Sequence, residues 1–85
     1  MPPTLSVIIV TWNVKDLLLR ALARLPAACA PLTWETIVVD NASSDGSAQA
    51  VAAAFPGVHY LRNDTNFGYA KANNQGLALA QGEFL

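Results

Sequence analysis

The sequence predicts an α/β fold, an open three-layer parallel sheet in which each strand is followed by a helix. Three observations predict it. Short runs "LSVIIV", "TIVV" and "VHYL" alternate with longer stretches of helical spacing. The first two runs are apolar at successive positions, as in strands covered on both faces. The stretches between the runs are too long for hairpins, so the order β-α-β-α-β-α requires parallel strands joined by right-handed crossovers.

Leu5 to Val10 forms the first strand, after the Pro2-Pro3 pair. Asn13 stands where a helix N-cap belongs. Asp16 falls in the first turn and Arg20 and Arg24 lie toward the far end, charges that complement the helix dipole. Leu18, Ala21, Leu22 and Leu25 share one face, and Pro26 is expected to end the helix. Thr36 to Val39 is the second strand, introduced by Trp34 and stopped by the turn-favouring pair Asp40-Asn41. Ser47 to Phe55 is helical, with Val51, Ala52 and Phe55 on one side and Pro56-Gly57 as a stop. Val58 to Leu61 is a short third strand. The polar loop Arg62 to Gly68 leads into a third helix, Tyr69 to Ala80, that Gly82 closes.

The 85 residues, 1–85, make one domain at most, and they are 53% hydrophobic and 13% charged. An ordinary soluble domain is about 25% charged, so the composition suggests outer faces meant to be covered by further protein. Five basic and six acidic residues are spread along the chain, for a net charge of −1. That leaves no electrostatic footprint for nucleic acid or an anionic membrane. The lone Cys29 excludes an internal disulfide and a multi-cysteine metal site and suits a reducing cytoplasm. No stretch approaches the ~20 apolar residues of a membrane span, and Met1-Pro2-Pro3-Thr4 lacks the basic start of a secretory signal. The expectation is a cytoplasmic chain without a membrane span.

Ligands of open parallel sheets bind at the carboxyl ends of the strands. Three polar clusters fall there: Thr11-Trp12-Asn13, Asp40-Asn41 with Ser43, Ser44 and Asp45, and Asn63 to Gly68. Trp12 either offers its ring to a planar base or packs over the first helix. Asp40 either accepts hydrogen bonds from a base N–H or ribose hydroxyl, or forms an Asx-turn. Around Asp45-Gly46 the lysine and glycine spacing of a P-loop is missing and a carboxylate repels phosphate, so Ser44 and Asp45 read as helix-entry caps. Asn66-Phe67-Gly68 lets the backbone approach a ligand at the start of the third helix. Lys71, one turn in, either neutralises a diphosphate or is simply solvated. Asn73-Asn74 are poor helix formers, and a polar group is expected to face them. His59 reads as a surface or satisfied histidine; a catalytic triad or zinc site has no second histidine to draw on. The turn after the first strand carries no glycine, which weighs against a dinucleotide-binding unit.

The segments "LSVIIVTWN", "ETIVVDNASSDGS" and "NDTNFGYAKANNQGLALAQGEFL", in this order and spacing, resemble the start of a family 2 glycosyltransferase. The likeness covers the chain from Leu5 onward and is strongest to the bacterial, rhamnosyltransferase-like branch that builds cell-surface polysaccharide. It implies a GT-A fold, with this chain as its Rossmann-like half. It implies that Thr11 and Trp12 line the base pocket, with Asn13 beside them and Trp12 where the family commonly has tyrosine. Asp40 is implied to contact the base of a UDP- or dTDP-sugar, with Asn41 in the same pocket. The loop around Asn66 and Gly68, with the helix carrying Asn73 and Asn74, is implied to lie along the nucleotide. Lys71 departs from the small residue often found at its position.

The implied function is binding of a nucleoside-diphosphate sugar for inverting transfer of the sugar to an acceptor hydroxyl, with a divalent metal, Mg or Mn, on the diphosphate. The family's Asp-X-Asp metal motif would follow the strand beginning near Phe84, and the catalytic base lies further on. This chain therefore offers no metal ligand and no catalytic residue, and Asp40 and Asp45 do not substitute for them. The expectation is an N-terminal, nucleotide-sugar-binding part of an incomplete domain, truncated before the metal-binding strand and marginally folded alone. Its first strand would be central, with an open apolar edge apt to pair with another chain. The competing expectation is a non-catalytic remnant, or a nucleotide-binding or interaction module.

Overall fold

The computed structural model describes residues 3–85. Six elements alternate along it: β1 (Leu5–Thr11), α1 (Lys15–Cys29), β2 (Trp34–Asp40), α2 (Ser47–Ala54), β3 (His59–Arg62) and α3 (Tyr69–Leu79). The strands form one sheet in the order β1-β2-β3. Both pairings are parallel, β1 with β2 from Leu5↔Trp34 to Thr11↔Asp40 and β2 with β3 from Ile37↔His59 to Asp40↔Arg62. This is the α/β open sheet that the alternation of elements requires.

Side-chain alternation along β2 divides the core in two. Val38 packs with Leu18 and Leu22 of α1 and Val51 of α2, joined by Ile9, Phe55 and Tyr60. Ile37 and Val39 pack on the other face against Ala72 of α3, joined by Val10 and Leu61. The sheet is thus sandwiched between α1 and α2 on one side and α3 on the other. Residues 37 to 39 are fully buried, which accounts for the unbroken apolar run in the sequence. The approach of α3 to the sheet depends on Gly76: a Cβ there would lie 2.5 Å from Ile8 Cγ2.

The free side of β1 is partly occupied. Leu5 forms a parallel bridge with Phe84, and Ser6 N donates to Phe84 O at 2.7 Å while Phe84 N donates to Thr4 O at 2.8 Å. The order nevertheless makes β2 the central strand: β1, expected to be central, lies at the edge of the sheet, with its free side met only by Phe84 near its start. Beyond that bridge no further strand pairs with β1 among the described residues.

At the amino end of the sheet, Glu35 fastens the chain that leaves α3. Its Oε2 accepts from Ser6 Oγ and from Gln81 N, each at 2.6 Å, and Gly82 N donates to Ser6 Oγ at 2.8 Å. Gly82 is required here because a Cβ would meet Ser6 Oγ at 2.5 Å, so it serves this contact rather than closing α3, which ends at the Ala80 cap. The Ser6 hydroxyl first, then the Gln81 N–H, hold the Glu35 carboxyl below the ordinary glutamate value. His59, exposed as expected, lies 3.9 Å from Glu35 Oε1.

Several boundaries differ from the sequence reading. Helix α1 runs through Pro26 to Cys29. The proline ring is exposed and falls in the last turn, where its missing N–H removes one bond near a helix end, and the extra turn buries Cys29. Asn13 is not the cap of α1: it has a φ of 51°, and Val14 holds the cap position. Ala21 and Ala52 face outward rather than into the core. The third strand begins one residue later than expected, because its ladder starts at Ile37↔His59.

Candidate functional site

The carboxyl ends of β1, β2 and β3 form one rim. The ladder continues past the strands, with Asn41 N donating to Thr11 O at 2.9 Å and Asn63 N to Asp40 O at 2.8 Å. Polar residues therefore follow directly on the apolar layers of the core, and they project to opposite faces of the sheet.

On the α1/α2 face, Asp40 is fully buried. Its Oδ1 accepts from Ser43 N at 2.8 Å and its Oδ2 from the Tyr60 hydroxyl. Tyr60 sits across from Val38 in the ladder, which puts its ring on the same face as Asp40. Burial, and then the bond to Asp40, raise the Tyr60 phenol well above its ordinary range. The Asx-turn that Asp40 closes carries Ala42 at φ 69°, a left-handed conformation uncommon for alanine. Arg62 Nη2 donates to Ser43 O at 3.2 Å and braces the same turn.

The first and second loops are stitched together. Asn13 N donates to Ser43 Oγ at 2.8 Å, and Ser44 N donates to Asn13 Oδ1 at 2.7 Å. The left-handed backbone of Asn13 turns both groups toward the second loop, a conformation asparagine tolerates. Asp45 then serves two helices at once: Oδ2 accepts from Lys15 N at the start of α1 (2.9 Å), and Oδ1 accepts from Ser47 N (3.1 Å) and the Ser47 hydroxyl at the start of α2. The Ser47 hydroxyl is the main cause that holds the Asp45 carboxyl below its ordinary range. Asp45 is thus a helix-entry residue, as its sequence context suggests.

On the α3 face, Asn41 ties the second loop to the third. Its Nδ2 donates to Gly68 O at 3.1 Å, and its Oδ1 accepts from Asn63 Nδ2 at 3.0 Å and Phe67 N at 3.4 Å. Gly68 has a φ of 85°, where any side chain would be strained, and its N–H donates to Asn66 Oδ1 at 2.8 Å. Asn63 also forms a two-bond pair with Gln75 of α3. The polar group expected opposite Asn73-Asn74 is instead met one residue later: Gln75 makes the contact, Asn73 is half-buried and Asn74 is exposed.

Hydrogen bonds thus bring Thr11, Asn13, Asp40, Asn41, Asn66 and Gly68 together. Trp12 stands at the same rim with 56% of its surface exposed, and Lys71 holds its ammonium 4.1 Å from the centre of the Phe67 ring. Thr11 is buried, and its hydroxyl has no hydrogen-bond partner among the described residues. Tyr60, Gln75 and Arg62 were not singled out in the sequence. Tyr60 could have been found by alternation from Asp40, and Gln75 by the stripe Ala72, Gln75, Gly76, Leu79 at helical spacing.

Among the described residues no cluster of three or more histidine, cysteine or carboxylate side chains could hold a metal ion. Of the carboxylates at the rim, Asp40 is committed to Ser43 and Tyr60 and Asp45 to two helix starts, while the exposed Asp64 of the third loop lies 3.9 Å from Arg62 Nη1. The donor set of the described residues therefore does not fit a divalent metal, and the rim offers hydrogen-bond donors, an aromatic face and the cations of Lys71 and Arg62. No helix among the described residues is long and apolar enough to cross a membrane.

An open parallel sheet with a polar, loop-built rim at its carboxyl edge defines an α/β domain of the kind that binds ligands at that edge. The chain belongs to glycosyl transferase family 2, whose family model matches residues 6–85. It is 33% identical over 86 residues to the putative colanic acid biosynthesis glycosyl transferase WcaA of Escherichia coli K12, a match spanning 98% of this chain and 30% of that protein. It is 34% identical over 83 residues to an uncharacterized glycosyltransferase of Mycobacterium tuberculosis, spanning 98% of this chain and 32% of that protein. The chain thus spans under a third of the length of these relatives. Among solved structures it is similar to a mannosyltransferase from Pyrobaculum calidifontis in complex with GDP-Man and Mn2+, with a TM-score of 0.75 and 28% identity, covering 94% of this chain and 25% of that one. The fold is accordingly that of the GT-A glycosyltransferases.

Proposed function

We propose that these 85 residues form the donor-nucleotide-binding part of a glycosyltransferase, holding the nucleoside diphosphate of an activated sugar at the carboxyl rim. The observation that carries this is the cross-linking of three loops at one edge, Asn13 to Ser43 and Ser44, and Asn41 to Phe67 and Gly68. Loops held by their own hydrogen bonds present a preorganised surface, which lowers the ordering cost of binding. The Trp12 ring offers a stacking face for a base. The Thr11 hydroxyl, buried without a partner among the described residues, gains one if a ligand's polar group reaches it. Lys71, on the first turn of α3, supplies a positive charge for the diphosphate.

In this reading Asp40 shapes the base pocket from beneath, because both its oxygens are engaged and it is fully buried. Asn41, Asn66 and Gly68 line the pocket from the α3 side. The family neighbour's GDP-Man and Mn2+ support a nucleotide sugar as the ligand class and a divalent metal for the complete activity. In this reading the base and the metal site that transfer to an acceptor hydroxyl needs are supplied by residues other than those of the rim. This chain's share of the work is to bind and orient the donor, in the cytoplasm where such donors are made.

The test is a titration of the isotope-labelled chain with GDP, UDP and dTDP, with and without Mn2+, followed by NMR. Binding at the rim shifts the signals of Trp12, Asn13, Asn41 and Asn66 to Gly68, and the ranking of the three nucleotides identifies the base. Shifts confined to Trp34, Glu35 and His59 at the opposite end, or none at all, would overturn the proposal.

A further inference from the structure

We infer that Gln75, on α3 behind the rim loops, is a positioning residue that holds the Asn66–Gly68 loop in place through a relay of three carboxamides. Gln75 and Asn63 face each other in a two-bond pair: Asn63 Nδ2 donates to Gln75 Oε1 at 2.8 Å, and Gln75 Nε2 donates to Asn63 Oδ1 at 3.0 Å. Asn63 Nδ2 spends its second proton on Asn41 Oδ1 at 3.0 Å. Asn41 then donates from Nδ2 to Gly68 O at 3.1 Å.

The chemistry of the groups fixes the sense of this relay. An amide has two protons on nitrogen and only acceptors on oxygen. The backbone anchors the sense: Phe67 N donates to Asn41 Oδ1 at 3.4 Å and Asn41 Nδ2 donates to Gly68 O, so Asn41 turns its oxygen toward Asn63 Nδ2, and Gln75 Oε1 takes the second proton of that nitrogen. Turning over any one amide sets N–H against N–H and oxygen against oxygen at the next. Asn41 is 3% and Asn63 7% exposed, so water cannot readily replace a lost partner, and the penalty for a broken link is high. The relay ends on Gly68, whose carbonyl also accepts the first bond of α3 from Ala72 N at 3.2 Å. Gln75 thus holds Asn63, and through it Asn41, in the orientation that ties the loop to β2.

The consequence for binding rests on the nucleotide reading of the rim, whereas the relay itself does not. Two measurements on the full chain separate them. In the wild-type chain the side-chain amide protons of Asn41 and Asn63 exchange slowly with solvent; exchange as fast as that of the exposed Asn74 amide would overturn the relay, whatever any variant does. In Gln75→Met, exchange of the Asn41 amide protons accelerates about tenfold, the scale of one lost buried hydrogen bond, and the Gly68 backbone signal shifts. The backbone amide of Val38 in the sheet centre stays protected in the same sample and reports that the fold persists. Gln75→Glu keeps the size of the side chain but sets an oxygen against Asn63 Oδ1, and it accelerates the same exchange. Unchanged Asn41 exchange in both variants would overturn the proposal. If the relay holds, both variants also weaken GDP, UDP or dTDP binding severalfold; if the wild-type chain binds none of these, the nucleotide reading fails while the exchange result still decides the relay.

Discussion

The Tyr60 hydroxyl donates to Oδ2 of Asp40, a carboxylate with no exposed surface whose other oxygen is held by the Ser43 N–H. A side chain of β3 thereby fixes the turn that follows β2. Among the described residues no guanidinium or ammonium pairs with this carboxylate, so the phenol and the Ser43 amide carry its solvation between them. Tyr60→Phe removes one of the two donors and leaves the ring packing intact. The expected cost is about 1.5 to 3 kcal/mol, the range for hydrogen bonds to charged groups, toward the lower end because Tyr60 is only partly buried. Urea unfolding of the two chains measures it, and equal midpoints would contradict this role of the pair.

Thr11 offers the opposite case, a buried hydroxyl with no partner among the described residues. Thr11→Val keeps the branched shape suited to a strand and removes the orphaned group. The expected outcome is an unchanged or raised thermal midpoint, by up to about 1 kcal/mol of stability, together with weaker nucleotide binding. A gain in stability paired with a loss of affinity marks a residue kept for its ligand. Calorimetric melting and a binding titration on the same sample check both halves.

Gly76 and Gly57 give a matched pair. A Cβ at Gly76 would come within 2.5 Å of Ile8 Cγ2, whereas one at Gly57 would have nothing within 4 Å. Overpacking costs about 1 to 3 kcal/mol, and the better helix propensity of alanine returns only about 1 kcal/mol. Gly76→Ala is therefore expected to lower stability and Gly57→Ala to leave it near the wild-type value. Denaturant midpoints for the two variants test the closeness of α3 to the sheet.

Glu35 makes a prediction in pH. Its carboxyl is held below the ordinary value of 4.5, first by the Ser6 hydroxyl and then by the Gln81 N–H. A group with a depressed folded-state value stabilises the fold above its unfolded value and loses that contribution as the pH falls through the folded one. Glu35→Gln should therefore lower the melting temperature most near neutral pH, with the gap to wild type shrinking below about pH 4.5. A gap that widens in acid would contradict the sign.

Much of the fold could be read from patterns that depend only on nearby residues. The unbroken apolar runs of β1 and β2 announce strands covered twice, and Pro56-Gly57 marks the end of α2. What could not be read depends on partners distant in the chain. Pro26 stops a helix in isolation, yet α1 passes through it and buries Cys29. Asn13 has the chemistry of a cap but is claimed by Ser43 and Ser44, some 30 residues on. At the rim, Thr11, Asp40, Asn41 and Gly68 are legible because they fall just past the carboxyl ends of the apolar strand runs, where open parallel sheets bind ligands. Tyr60 and Gln75 are not, because a tyrosine in a strand and a glutamine in a helix are ordinary until the register sets them against Asp40 and Asn63.

The two tryptophans allow the most direct test of the rim as a nucleotide site, since Trp12 lies on it and Trp34 begins β2 at the opposite end of the sheet. Intrinsic fluorescence is followed while GDP, UDP or dTDP is added, with correction for nucleotide absorbance. The account predicts a saturable change that persists in Trp34→Phe and disappears in Trp12→Phe. A change that survives in Trp12→Phe and is lost in Trp34→Phe, or no saturable change in the wild-type chain, would contradict it.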